Sequence, residues 1–344
     1  MMEEWQQWVT QNDGHQDEGG RLVFAGHQEE LKAVQGGRPV FSPLTQFALL
    51  RARGEDTLSF LQGQLSSDLR ELDGSRSQYS SYSNAKGRMQ ANFLAWKDGD
   101  DYFLMLSADI ADAILKRLSL FVMRAKVKIE RVDGQYLLAG FAGAGAAGRL
   151  AELGYAVPQS VHAVAGNEQG LVIALPAGTY LLVLPAESAA AAATSLAEGA
   201  TRVGVEAWGA FDIAAGIAWI TLPTQEQFVA QMANMELIGA VSFKKGCFPG
   251  QEIVARTQYL GKLKRRLFRA SISAAASPGD VLYSPSVPDQ TIGMVVNVVS
   301  VAAGQMELLV VVQVAAWEAG VYLKSLDGPQ LSPLSLPYPL PDRI

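Results

Sequence analysis

Behind Asp56, which stands in an N-cap position, Leu58, Leu61, Leu65 and Leu69 recur at steps of three and four and predict a helix with four leucines on one core face. Short apolar runs follow, over 78–83, 89–96 and 102–106, divided by Asn84-Ala85-Lys86-Gly87 and Asp98-Gly99-Asp100, and they predict an antiparallel meander. Ser107 then caps a second helix with Ile110, Ile114, Leu118 and Phe121 inward, and Val127, Ile129 and Val132 mark a strand before Asp133-Gly134. Between 135 and 204 the mixture repeats: an Ala/Gly-rich helix near 143–153, strands over 171–175 and 180–184, and an alanine-rich helix over 187–198. After Arg266 the pattern is strands alone, over 267–272, 281–283, 291–301, 307–314 and 321–324, which predicts a small barrel or sandwich. Pro333, Pro337, Pro339 and Pro341 predict an extended tail laid along a surface.

Helices mixed with antiparallel strands favour the α+β class. The expected units are an N-terminal extension (1–40), an α/β domain from 41–134 together with 205–260, a second α/β domain (135–204), and a C-terminal β-barrel with its proline-rich tail (261–344). The extension holds seven acids against three bases and little periodicity, so it is expected to be loosely held, with a short helix at its start.

Composition narrows the class. With 344 residues, 49% hydrophobic and 18% charged, the chain can bury a large core and is not a disordered protein. One cysteine and three scattered histidines, His15, His27 and His162, exclude an internal disulfide framework and a compact Cys/His metal site. The uncharged stretch 169–186 is broken by Gly170, Pro176, Gly178 and Pro185, so no membrane helix is expected. The first residues show neither a basic region nor an apolar one, and the expected compartment is the cytoplasm.

The single thiol, Cys247, lies in Lys244-Lys245-Gly246-Cys247-Phe248-Pro249-Gly250-Gln251-Glu252. A helix starting near Gln251 together with two neighbouring lysines would stabilise a thiolate. The same residues also describe a turn around a small buried side chain, and spacing leaves both readings open. From Lys244 to Arg269 eight bases face one acid, giving +7 in 26 residues against −6 for the whole chain. That asymmetry points to an anionic partner or to a solvated face. Trp208 either stacks on a flat heterocycle or packs in the core beside Phe211.

The segment FKKGCFPGQEIVAR (243–256), with Gln231 and Asn234 in FVAQMAN upstream, resembles the signature of the YgfZ family of folate-binding, tRNA-modifying proteins. LQGQLSSDL (61–69), NAKGRMQAN (84–92) and the closing LPYPL (336–340) extend the resemblance over roughly residues 40–344. It implies a fold similar to the T-protein of the glycine cleavage system, with two interleaved α/β domains around a central folate channel and a C-terminal β-barrel. It also implies a cytoplasmic protein that binds tetrahydrofolate or another reduced folate and supports iron–sulphur cluster assembly or repair and, through it, tRNA thiomethylation. Iron–sulphur carrier or client proteins are the implied partners, with no stable direct binding of tRNA.

Carried over by position, the folate contacts fall on Trp208, Phe47, Gln231 and Asn234, and the functional pair on Cys247 and Lys245, within the motif Lys245, Gly246, Cys247, Phe248, Gly250, Gln251 and Glu252. Phe47 stands where relatives have tryptophan and offers a π face without an indole N–H. One alternative in the same fold is a folate-dependent aminomethyltransferase. T-protein uses an acidic pair in the hairpin after the glycine turn, where this chain has Ala91 and Asn92, and an amide cannot serve as a general base. A second alternative is a non-catalytic, folate-gated scaffold. One cysteine cannot hold a resident iron–sulphur cluster, which requires about four thiolates.

Overall fold

A computed structural model describes residues 2–17, 20–24, 26–259 and 263–341. Three main sheets organise the chain. The first is antiparallel, in the order Ser77–Ser83, Met89–Asp98, Asp101–Ser107, Phe47–Arg53, Lys128–Arg131, and contains the expected meander. The second runs Val164–Asn167, Gly170–Leu175, Thr179–Pro185, Tyr136–Ala142, Val40–Pro43, and ends on Thr201–Arg202, which is parallel to its neighbour. The third, C-terminal sheet runs Tyr322–Leu323, Val281–Tyr283, Gly293–Ala302, Gln305–Gln313, Arg265–Ile272, Ser332–Leu334.

Strand alternation sorts side chains into separate cores. In the second sheet Val40, Leu138, Ile173 and Leu181 face a central core, while Phe41, Ala139, Val172 and Leu182 face an outer one. In the third, Leu309 and Val311 face the centre, and Leu308, Val310 and Val312 fill the sheet's own concave side. The central core therefore receives one face of the second and third sheets and both faces of the first, whose consecutive Phe93, Leu94, Ala95 and Trp96 all belong to it. Through it runs the helix Val205–Ala214, none of whose residues is exposed.

Four expectations change. The leucine helix ends early, at Thr57–Gln62, with Gly63 at its C-cap. Leu65 and Leu69 are still fully buried, but from a loop and a following 3-10 turn. Gln62 holds that loop, donating to Asp68 at 2.8 Å and accepting from Leu69 N–H at 2.9 Å. Phe121 does not point inward; with Leu120 and Met123 it is exposed at the end of the helix Ala111–Val122. The C-terminal strands are accompanied by a short helix, Val314–Trp317.

The first forty residues, finally, are tied into the fold. Trp8 on the helix Met2–Gln11 is buried against Phe24 and Phe41 and donates to Thr194 Oγ1 at 2.9 Å. Glu30 is fully buried and accepts from the N–H groups of Phe24 and Gly204. The acidic composition concealed a carboxylate that fastens two backbone segments.

After the central helix the chain runs extended through Ala218, Trp219 and Ile220. Asn92, from the first sheet, donates to Ala218 O at 2.9 Å and accepts from Ile220 N–H at 2.8 Å. Asn297, from the third sheet, accepts from Trp219 N–H and donates to Trp219 O, both at 2.9 Å. Two amides thus grip three residues from opposite sides. Asn92→Ala should lower stability by about 1–3 kcal/mol, because it strands a buried carbonyl and a buried N–H. Urea denaturation measures this, and a loss below about 0.5 kcal/mol would show that the grip is not stabilising.

Candidate functional site

Lys245 joins two of the sequence motifs. Its Nζ donates to the carbonyls of Gln62, Leu65 and Ser67 at 2.7, 2.5 and 2.8 Å. Those carbonyls are available because the helix Thr57–Gln62 stops; a continued helix would have bonded the first of them internally. Burial pulls the Lys245 ammonium down to about 8, Asp68 pushes it back up, and Arg70 adds to the fall. Arg70 in turn holds the Asp68 carboxyl well below the usual carboxylate range. Ser66 completes the joint, donating to Ala240 O and accepting Ser242 N–H at its own carbonyl.

The 84–92 motif meets the same loop from the other side. Gly250 has φ +77, and a Cβ there would stand 2.5 Å from Gly87 Cα and 2.6 Å from Asn84 O. Gly87 has Ile253 of the helix Gln251–Tyr259 against it. Two segments distant in sequence therefore close around 243–250. Cys247 is exposed at the apex, directly before that helix. Gly246 is exposed beside it, and Phe248 packs partly against the central core, with Lys245 Nζ 5.5 Å from its ring centre. Phe248 N–H donates to Gln251 Oε1 at 3.3 Å, while Glu252 lies exposed in the first turn.

Gln231 and Asn234 lie beneath this loop. Gln231 Nε2 donates to Val254 O at 2.6 Å, and its Oε1 is buried without a partner. Asn234, at φ 56, donates to Leu267 O at 3.0 Å and accepts from Arg266. Arg266 is buried and pairs with Glu236, whose carboxyl burial pushes up while Arg266 holds it down. Gln231 thus fastens the helix that follows the loop, and Asn234 the first strand of the C-terminal sheet, to the segment 230–234.

The basic segment is less free than its charge suggests. Lys245, Arg266 and Arg269 are engaged internally, Arg269 by Glu307 at 2.6 Å. Lys244, Arg256 and Lys264 are exposed. Lys262 lies outside the described residues.

The aromatic positions divide. Trp208 is 3% exposed and lies so close on Gly140 that a Cβ there would meet its ring at 2.4 Å; Phe211 packs beside it at 5.0 Å. Phe47 instead faces Trp219, with ring centres 4.7 Å apart. Tyr79 stands 6.0 Å from Trp219 on another side, with the His162 ring edge-on to it at 5.2 Å. The Asp212 carboxyl, from the central helix, belongs to the same group: burial pushes it up to about 7, and only the Trp219 N–H opposes that.

Sequence reasoning missed Trp219, Tyr79 and Asp212. One signal was readable: between Ala207 and Gln225 Asp212 is the only charged residue. The structure thus shows two features, an aromatic group with an enclosed carboxyl in the interior and an exposed thiol on a braced loop.

No protein-family model matches the chain. It is 33% identical over 262 residues to the tRNA-modifying protein YgfZ of Pectobacterium carotovorum, covering 76% of each chain. It is also 33% identical over 237 residues to the YgfZ of Sodalis glossinidius, covering 68% of this chain and 72% of that one. Among solved structures it is similar to the glycine cleavage system aminomethyltransferase T from Bartonella henselae, with a TM-score of 0.79 over 97% of this chain and 96% of that one, at 18% identity. The fold is therefore that of the T-protein, and the chain belongs to the family of YgfZ tRNA-modifying proteins.

Proposed function

We propose that this protein binds a reduced folate, tetrahydrofolate or a close relative, in its centre and supports tRNA modification through the maintenance of iron–sulphur enzymes. The observation that carries this reading is the convergence of the 61–69 and 84–92 segments on the loop of the 243–256 motif; an interior aromatic group at Phe47, Tyr79 and Trp219 offers faces of the kind a flat heterocycle stacks on. Cys247 is the group that meets a partner, since it is exposed at the apex of that loop. Lys245 acts as a positioning residue, because its ammonium is spent on three carbonyls. The partners are folate and iron–sulphur carrier or client proteins; the seat is the cytoplasm. No helix among the described residues is long and apolar enough to cross a membrane.

Aminomethyl transfer is the rival activity, and Asn92 disfavours it. Its amide donates and accepts on the backbone of Ala218 and Ile220, so it carries no exchangeable carboxyl proton and is not free to reach a ligand.

Titration with tetrahydrofolate should quench the tryptophan fluorescence saturably, and Trp219→Phe should lose most of that quenching while Trp208→Phe keeps it. A native protein with no saturable signal at about millimolar ligand would end the folate reading. Ammonia release from an aminomethyl-lipoyl substrate should stay at background; turnover would show that another acid serves. Cys247→Ser should keep its thermal midpoint and folate binding, yet fail to restore tRNA thiomethylation in cells lacking the protein. Full complementation would return Cys247 to a residue in a turn.

A further inference from the structure

One end of a surface helix is left uncovered. On the helix Ala111–Val122, Ile114 and Leu118 are buried, while Leu120, Phe121 and Met123 at its end are 71%, 50% and 86% exposed. None of the three belongs to a core cluster, so the fold itself gives no reason for placing them together in water. The charge around them has one sign. Lys116 and Arg117 stand one turn before Leu120 and Phe121, and Arg124 and Lys126 follow Met123, all four exposed. The nearby acids are already engaged: Glu55 by Lys126 at 2.6 Å, Asp112 by Arg131 at 3.0 Å, and the Asp56 carboxylate by the Lys126 N–H at 2.8 Å. Among the described residues no carboxylate pairs with Lys116 or Arg124.

This end of the helix is joined to the thiol loop by two routes. The short helix Thr57–Gln62 begins behind Asp56, which holds the Lys126 N–H, and ends at Gln62, whose carbonyl holds Lys245. Its 6 residues rise about 9 Å in all, so the uncovered helix end and the base of the Cys247 loop flank the two ends of one short element. By the other route, Leu65 bridges to Tyr82 and gives its carbonyl to Lys245, while Arg117 faces the Tyr82 hydroxyl and Glu226. Cys247 is exposed on the loop so held. A protein interface of ordinary size covers about 800 Å² a side, roughly 30 Å across, and takes in both.

We infer that this face docks the protein partner that meets Cys247, and that the partner offers an amphipathic helix whose apolar side is edged with carboxylates. The inference rests on the reading of Cys247 as the partner-facing group and names the partner's surface. Aromatic residues, Met and Arg are the types enriched where protein interfaces are most buried, and Met adapts its shape to what it meets. Leu120 and Phe121 project from a helix and fit between the side chains of a second helix laid against it. Apolar contact alone does not choose among apolar surfaces. The cations do: Lys116 and Arg124 attract a helix edged with Glu or Asp and repel one edged with Lys or Arg.

The test uses two fluorescent helical peptides, one with leucines at every third and fourth position and glutamates beside them, the other with lysines in place of the glutamates. The full chain should bind the acidic peptide saturably, and about tenfold or more weakly when salt is raised from about 50 to 500 mM. Phe121→Glu and Arg124→Glu should each weaken binding about tenfold or more at an unchanged thermal midpoint, because both side chains are exposed. A benzophenone attached to Cys247, the chain's only thiol, should cross-link the bound acidic peptide in the native protein and not in Phe121→Glu. Equal binding of the lysine peptide, native-like binding by both variants, no saturable binding, or binding without a cross-link would overturn the inference. So would uptake of the protein by equimolar phosphatidylcholine–phosphatidylglycerol vesicles, or a dimer in sedimentation, that Phe121→Glu abolishes, since the occupant is then a bilayer or a second copy. None of these outcomes touches the folate titration. Full complementation by Cys247→Ser beside normal peptide binding would instead end the reading of the thiol and leave the docking face standing.

Discussion

The grip of Asn92 and Asn297 on residues 218–220 sets the geometry of everything at the centre. Each amide supplies one donor and one acceptor, and each spends both on backbone. Water does not replace these bonds in the interior, so the segment has one position and the Trp219 ring has one orientation. Phe47, Tyr79 and Asp212 are arranged around that ring. The grip also has a chemical price at position 92. An ionised carboxylate there could accept from Ile220 but could not donate to Ala218, so the grip favours the amide over an ionised acid.

A second economy operates at the rim. A helix uses its own carbonyls; a helix that stops leaves them open. Here the carbonyls left by Thr57–Gln62 and by the loop after it are given to one ammonium, so the loop with Cys247 is anchored through a side chain two residues away. The anchoring leaves the thiol exposed while its neighbour is buried, which separates the rigid part of the loop from the part that meets a partner.

Much of this was legible in the sequence, and the failures have physical causes. Short apolar runs cut by turn residues identified the meander and the C-terminal strands, because the strands are short and their connections are tight. The helix over Leu58–Leu69 failed because spacing reports which residues are buried, not what conformation buries them; Leu65 and Leu69 reach the core from a loop. The N-terminal extension failed because composition counts charges without showing where they go, and Glu30 goes inside. The motifs around Cys247, Gln62 and Gly87 were each readable, yet their meeting was not, since a hydrogen bond spanning 183 residues has no local trace. Trp208 was readable as a ring that stacks or packs; that Gly140 lies against it, and that Trp219 stands between Phe47 and Tyr79, only packing shows.

The C-terminal tail bears on how the protein is made. Ser332–Leu334 pairs with the strand Arg265–Ile272, and the Tyr338 hydroxyl then donates to Gly216 O at 2.7 Å, on the turn between the central helix and the gripped segment. That turn leads into a segment whose second holder is Asn297. Residue 92 is synthesised long before residues 297 and 338, so the segment at the centre gains its second holder only once the C-terminal sheet has been made.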